Sequence, residues 1–340
     1  MSSVTLLLKS IVSYVLILFY NLQVLFGLGL LFIFKNKSEF WEPKPRPDPP
    51  KNLTDKEHGD HKFIEVNGIR LHYVEKGDKS KPLMLFVHGF PEFWYSWRHQ
   101  LKEFSKDYWC IALDMRGYNE SDKPKGIENY SIDCMTSDIR EVVRKLDREK
   151  FILVCHDWGS VIGWHYVTKH MDTIEKYICM GAPSLPVINR MIHSSWKQFR
   201  MSWYVFFFQM PWLPETSVRL FDMKSLDFIG HNSTEVTKDD IEVYKHVFGK
   251  EGALTGPINY YRANFSFNKE FDIPKPDKFA PGLYLLGEHD LYISKGSGPL
   301  LQKEFKNLEF KVVAKANHFC QQDKPKEVNE MMREFLSQKY

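Results

Sequence analysis

From residue 82 onward the chain carries five short, uninterrupted apolar runs, Pro82–Val87, Trp109–Leu113, Phe151–Cys155, Tyr177–Met180 and Leu283–Leu286, and a sixth, Phe310–Val313, broken by Lys311. Runs of this kind suit strands buried on both faces of a parallel sheet, whereas half-exposed strands alternate. Ahead of them, Lys62–Val66 and Ile69–Val74 flank Asn67-Gly68. That dipeptide is the favoured two-residue turn, so the segment predicts a β-hairpin. Between the runs lie amphipathic stretches such as 138–146, where Ile139, Val142, Val143 and Leu146 recur at helical spacing. Strand–helix alternation predicts an α/β fold built on a mostly parallel sheet with helices on both faces. The alternation stops between residues 184 and 271, a stretch helical in tone and rich in aromatics, including Trp196, Trp203, Tyr204, Phe206, Phe207, Phe208 and Trp212. After Asp272-Ile273-Pro274-Lys275-Pro276 the strand pattern returns. The expected organisation is one α/β core in two parts, residues 61–183 and 272–340, with a helical cap at 184–271 inserted between them.

The N-terminus reads differently. Ser10 to Phe34 contains no charged residue. As a helix it would be about 37 Å long, enough to cross a bilayer's hydrocarbon core with some tilt. Leu31-Phe32-Ile33-Phe34 runs straight into Lys35-Asn36-Lys37 without a small-residue cleavage site. This favours a retained anchor, residues 1–34, over a removed signal peptide. Residues 35–60 form a proline-rich linker whose segment Glu42–Pro50 should act as a semi-stiff spacer. The expected location is a single-pass membrane protein of the endoplasmic reticulum. Lys35, Lys37, Lys44, Arg46 and Lys51 follow the span against Lys9 before it. That asymmetry leans toward a cytosolic folded body. Asn-x-Ser/Thr matches at Asn36, Asn52, Asn119, Asn232 and Asn264 carry weight only for a lumenal chain.

Forty-six basic residues against 43 acidic give a net charge of +3. The excess is too weak for a nucleic-acid binder, so no nucleic-acid partner is expected. Five cysteines, Cys110, Cys134, Cys155, Cys179 and Cys320, are scattered and odd in number. Neither a disulfide framework nor a zinc site follows from such spacing, and no metal or cofactor is expected.

Candidate chemistry collects at the carboxyl ends of the predicted strands, where open α/β sheets place reactive groups. Asp157 lies in Cys155-His156-Asp157-Trp158-Gly159-Ser160, in the nucleophile slot of a strand–turn–helix elbow. Asp290 follows Gly287-Glu288-His289, and His318 follows the last strand. Nucleophile, acid and histidine in this order match the α/β-hydrolase arrangement.

The motifs HGFPEFWYSWRHQ (88–100), DMRGYNESDKP (114–124), CHDWGS (155–160), GEHD (287–290) and NHFCQQDKP (317–325) resemble α/β-hydrolase-fold epoxide hydrolases. With the anchor, the membrane-anchored epoxide hydrolase 4 type is the nearest fit. The resemblance implies an α/β-hydrolase fold and conversion of an apolar, lipid-like epoxide, with water, to a vicinal diol. Asp157 would be the nucleophile. A carboxylate suits the task because its ester with the substrate has a carbonyl that water can attack, whereas serine would give an inert ether. His318 would be the general base, Asp290 its orienting partner, and the backbone N–H groups of Phe90 and Trp158 the oxyanion hole. The family's two cap tyrosines, which donate to the epoxide oxygen, match Tyr204 and Tyr261. The substrate would then lie among Trp158, Phe90, Tyr204 and Tyr261. Three positions depart from the family: Cys155, Asn119 and Asn317 stand where glycine is usual. Asparagine tolerates positive φ, which suggests how two of them fit. Rival readings are a haloalkane or haloacetate dehalogenase with the same nucleophile, and a membrane-tethered binding protein without activity.

Overall fold

The computed structural model describes residues 3–34, 40, 43–265 and 279–339. Expectations on Lys35, Asn36, Lys37 and 272–276 lie outside those residues. Eight strands form one sheet: β1 Asp60–Val66, β2 Ile69–Lys76, β3 Leu83–Val87, β4 Trp109–Leu113, β5 Phe151–His156, β6 Ile174–Met180, β7 Gly282–Gly287 and β8 Leu308–Val313. Their order is β1-β2-β4-β3-β5-β6-β7-β8. Only the β1–β2 and β2–β4 pairs are antiparallel. The Asn67-Gly68 hairpin turn has φ of 51° and 75°, the left-handed pair that the sequence demands. Strands β3, β4, β5 and β7 are buried at every position, whereas the edge strands β1 and β8 are half open. The runs before Phe310–Val313 therefore mark the covered middle of the sheet, whereas that last run lies on the half-open edge strand β8.

The helix Ile132–Lys145 starts six residues before the stretch read from periodicity. Ser131 caps it by accepting from the Cys134 N–H, and Ile132 and Met135 extend its buried face. The anchor helix runs Ser3–Phe34. Among the described residues, six α-helices lie between β6 and β7, from Leu185–Ser194 to Thr255–Asn264. Strand order reverses direction between β3 and β5, since β3 leads outward to β4 and the chain then returns to β5. Ligands gather at such switch points, and here the β3 and β5 carboxyl ends sit side by side under the six helices.

The described part of the linker is tied to those helices. Arg46 grips Asp222 with two bonds of 2.7 and 2.8 Å and reaches Glu242 at 2.9 Å. Phe40 is buried and packs edge-on against Phe32 and Phe221, and its carbonyl accepts from the Phe221 N–H. The grip spans Phe221, Asp222 and Met223, three successive residues with φ near +55°.

Candidate active site

Strand β5 ends at His156, and the chain turns sharply into the helix Trp158–Lys169. Asp157, at the turn, has φ 50° and ψ −118°. The conformation is strained for a non-glycine residue. It is held by the Asp157 N–H donating to the Met180 carbonyl at 2.9 Å and the Asp157 carbonyl accepting from Val161 at 3.0 Å. Any Cβ on Gly159 would overlap the Val87 carbonyl, so the helix can approach β3 only with glycine there. The turn presents the carboxylate to the loop after β3, whose Phe90 N–H donates to Asp157 Oδ1 at 2.7 Å.

The loops after β7 and β8 bring the other two groups. Asp290 Oδ1 accepts from the Tyr292 and Ile293 N–H groups at 2.7 and 2.9 Å, which fixes its plane. Its Oδ2 lies 2.7 Å from His318 Nδ1. The opposite ring nitrogen, Nε2, is 3.4 Å from Asp157 Oδ2. Burial disfavours the His318 charge, but Asp290, and then the Asp157 hydrogen bond, outweigh it and raise the imidazole pKa to about 10. Burial likewise pushes Asp157 up, yet the facing His318, His156 and the Phe90 N–H bring its carboxyl below the ordinary value. The two groups thus hold each other charged.

Tyr204 and Tyr261 come from separate helices of the insertion, Trp203–Phe207 and Thr255–Asn264. Their rings meet edge-on at 5.8 Å, and both line the cavity beside Asp157. Burial raises both phenols well above their usual pKa, and the Asp157 charge adds to it. Trp158 and Phe90 pack edge-on against Tyr261 at 5.0 and 5.6 Å. Phe90, Asp157, Tyr204, Tyr261 and His318 line one cavity, Trp158 lines a smaller one that adjoins it at Asp157, and Asp290 stands behind His318. The Tyr260 side chain turns elsewhere, its hydroxyl donating to the Arg116 carbonyl at 2.9 Å. Among the described residues, no group of three His, Cys, Asp or Glu could hold a metal ion.

Sequence reasoning missed three groups. His156 Nδ1 is 2.6 Å from the buried Glu92 carboxylate, and its Nε2 is 2.9 Å from the His318 carbonyl. Gln321 and Gln322 also donate to Glu92. The network braces the backbone of His318. Tyr292 lies between Tyr204 and His318, with ring separations of 5.5 and 4.9 Å. Glu92 and His156 stood inside quoted motifs, but neither follows from strand-end position. The expectation for Asn317 is corrected. Its backbone is not left-handed; instead Oδ1 accepts from the Phe319 N–H at 2.8 Å and turns the loop. Asn119 does adopt positive φ, 42°, and donates to Asp114 Oδ2 at 2.7 Å.

An Asp-centred elbow on a switch-point sheet, completed by a carboxylate–histidine pair, defines an α/β hydrolase, and the family model described as alpha/beta hydrolase fold matches residues 82–325. The chain is 41% identical over 320 residues to epoxide hydrolase 1 of Caenorhabditis elegans, covering 91% of this chain and 77% of that protein. It is 36% identical over 328 residues to epoxide hydrolase 4 of Homo sapiens, covering 93% and 88%. A crystal structure of the Bacillus megaterium epoxide hydrolase with an inhibitor superposes with a TM-score of 0.73 at 32% identity, covering 82% of this chain and all of that one. The chain belongs to the epoxide hydrolases of the α/β-hydrolase family.

Proposed function

We propose that this enzyme opens apolar epoxides through a covalent ester on Asp157. An Asp157 oxygen attacks an epoxide carbon, the C–O bond breaks, and Tyr204 or Tyr261 donates a proton to the departing alkoxide. The imidazolium of His318 returns a proton to the tyrosinate. Loss of the Asp157 charge on esterification removes one of the two anions that hold the His318 proton, so the ring becomes a base at this point. It takes a proton from water, the resulting hydroxide adds to the ester carbonyl, and the Phe90 and Trp158 N–H groups stabilise the oxyanion. Collapse releases the vicinal diol and restores the carboxylate and imidazolium. Atoms, protons and charge balance over the cycle.

The observation that carries this reading is the line Asp290–His318–Asp157 facing two buried phenols across one apolar cavity. The helices of 184–271 act as a cap that supplies the acid to a core of 61–183 and 272–340. Ser10–Phe34, 25 residues of mean hydropathy 2.2 with outward apolar side chains, serves as a retained anchor in the endoplasmic reticulum membrane. The body then faces the cytosol, in keeping with Lys35, Lys37, Lys44, Arg46 and Lys51 after the span against Lys9 before it.

The test is His318→Gln with styrene oxide. Ring opening proceeds but the ester is not released. Mass spectrometry should find an adduct on the peptide carrying Asp157. An unlabelled peptide in a variant with intact single-turnover ring opening would overturn the mechanism.

A further inference from the structure

Two cavities meet at Asp157, Tyr204 and Tyr261, and they are unequal. One, of about 80 Å³, lies toward Leu185, Ile188 and Ile192. The other, of about 290 Å³, runs past Phe207 and Leu226 to Val24 on the N-terminal helix. The larger one approaches the roughly 300–1,000 Å³ of ordinary small-molecule sites. Its wall is mostly apolar apart from the reacting groups, with Ser217, Ser225 and the polar tips of Tyr292 and Trp203 as further polar groups.

The N-terminal helix is joined to the cap at this wall. Tyr20 stacks on Phe206 at 5.8 Å and tilts against Trp203 at 6.5 Å, and Trp203 packs edge-on against Tyr204. Asn21 is buried in the same seam, and its side-chain NH2 donates to the Ile17 carbonyl at 2.7 Å. At the far end, Phe40 and Arg46 lock the following segment onto 221–223. On other faces of the helix Leu18, Phe19, Leu22, Leu25 and Phe26 remain exposed. A span of Ser10–Phe34 places Val24 within the hydrocarbon layer, about 15 Å from its Phe34 end. The cap surface on the helix then lies against acyl chains, where the half-exposed Trp203 fits well.

We propose that the seam at Val24 is a bilayer-side entrance, and that the enzyme takes epoxides bearing a long alkyl tail directly from the lipid. The reacting carbon reaches Asp157, the tail lies in the larger arm toward Val24, and the smaller arm accepts only a short substituent. This rests on the epoxide and membrane readings above. It adds that the anchor is part of the substrate site and not merely a tether. Burying an alkyl tail is favourable relative to water in proportion to its length. A tail already in lipid loses little by moving into an apolar arm, so entry from that side avoids a passage through water.

The experiment uses full-length His318→Gln in phosphatidylcholine vesicles, with terminal alkyl epoxides of increasing length that each carry a diazirine at the far end. The epoxide is first fixed on Asp157, and irradiation then reports where the tail lies. Label should move onto the peptide of residues 10–34 once the chain is long enough. An ester on Asp157 with label confined to cap peptides at every length would overturn the entrance while leaving the chemistry intact. Absence of any ester would overturn both, and release of the protein by alkaline carbonate would overturn the membrane reading and this entrance with it. In otherwise wild-type protein, Val24→Trp should lower the ratio of kcat/KM for a long-chain epoxide to that for styrene oxide by about tenfold, and Val24→Leu should largely keep it. An unchanged ratio in Val24→Trp would also overturn the proposal.

Discussion

Tyr204 and Tyr261 can be separated from their neighbour by one atom each. The two phenols face the Asp157 carboxylate, which together with burial keeps them protonated. Tyr260, next in sequence to Tyr261, spends its hydroxyl on the Arg116 carbonyl. Tyr204→Phe and Tyr261→Phe should each slow ester formation by about 2–4 kcal/mol, the usual loss for one donor to a developing oxyanion. The double variant should be worse than either. Tyr260→Phe should leave ester formation nearly untouched and reduce stability by about 1 kcal/mol through the lost buried hydrogen bond. Stopped-flow ester formation and thermal unfolding distinguish the three, and equal kinetic losses at Tyr260 and Tyr261 would reject the assignment. Among single residues, Asp157, Asp290 and His318 were legible because strand ends point reactive groups at one crevice. The two tyrosines were legible only through resemblance, since nothing in helical spacing distinguishes them from the ordinary aromatics around them. Glu92, His156 and Tyr292 were not legible as parts of the site. Their roles come from partners up to 230 positions away in the chain, as with Gln322 and Glu92.

The elbow after β5 is the element on which the whole arrangement depends, and its packing shows in two glycines. Gly159 meets the backbone of β3, whereas a Cβ on Gly163 would lie 2.7 Å from Cys155 Sγ. Backbone cannot retreat, but a side chain can be shortened. Gly163→Ala should therefore destabilise by about 1–3 kcal/mol through overpacking, and the cost should shrink in a Cys155→Gly background, which removes the obstructing sulfur. Gly159→Ala should cost more, and Cys155→Gly should not relieve it. Thermal unfolding of the three single and two double variants in detergent gives the coupling; a penalty at Gly163 independent of residue 155 would mean that the helix sits elsewhere. All eight strands were legible, although β6 and β8 begin three and two residues earlier than their apolar runs. Glu175 and Lys176 in β6, and Glu309 with the edge exposure of β8, blurred those starts. Helix Ile132–Lys145 was seen only in its second half because its start depends on the Ser131 cap, which has no periodicity. The proline-rich spacer gave no hint of Arg46 reaching Asp222 and Glu242, a pairing 176 and 196 positions apart.

The Asp157–His318 pair also contributes to the stability of the whole molecule, with a sign that follows from the two pKa shifts. His318 has a folded pKa of about 10, against about 6.5 in an unfolded chain. A raised basic pKa means that the folded state binds the proton more tightly than the unfolded one. The stabilisation is fully present below pH ~6.5 and declines as pH rises toward 10, above which neither state holds the proton. Asp157 works in the opposite direction. Its lowered pKa contributes above the ordinary carboxylate value and is lost only as pH falls below it. Over pH 6.5–10 the Asp157 contribution is constant, so the slope belongs to His318 and to other groups that are common to a variant. Wild-type protein should lose thermal stability across this window faster than His318→Gln does, and the two curves should converge toward the alkaline end. Covalent modification supplies a second arm. With Asp157 esterified, one of the two carboxylates facing the imidazole is neutral, so the pH at which His318 releases its proton must fall. The ester formed by the wild-type enzyme should therefore hydrolyse with an apparent pKa well below 10, read from single-turnover rates against pH, while the free enzyme keeps the higher value in its unfolding profile. Equal values in the two measurements would mean that Asp157 does not hold the His318 proton, and the electrostatic switch between the two half-reactions would have to be abandoned.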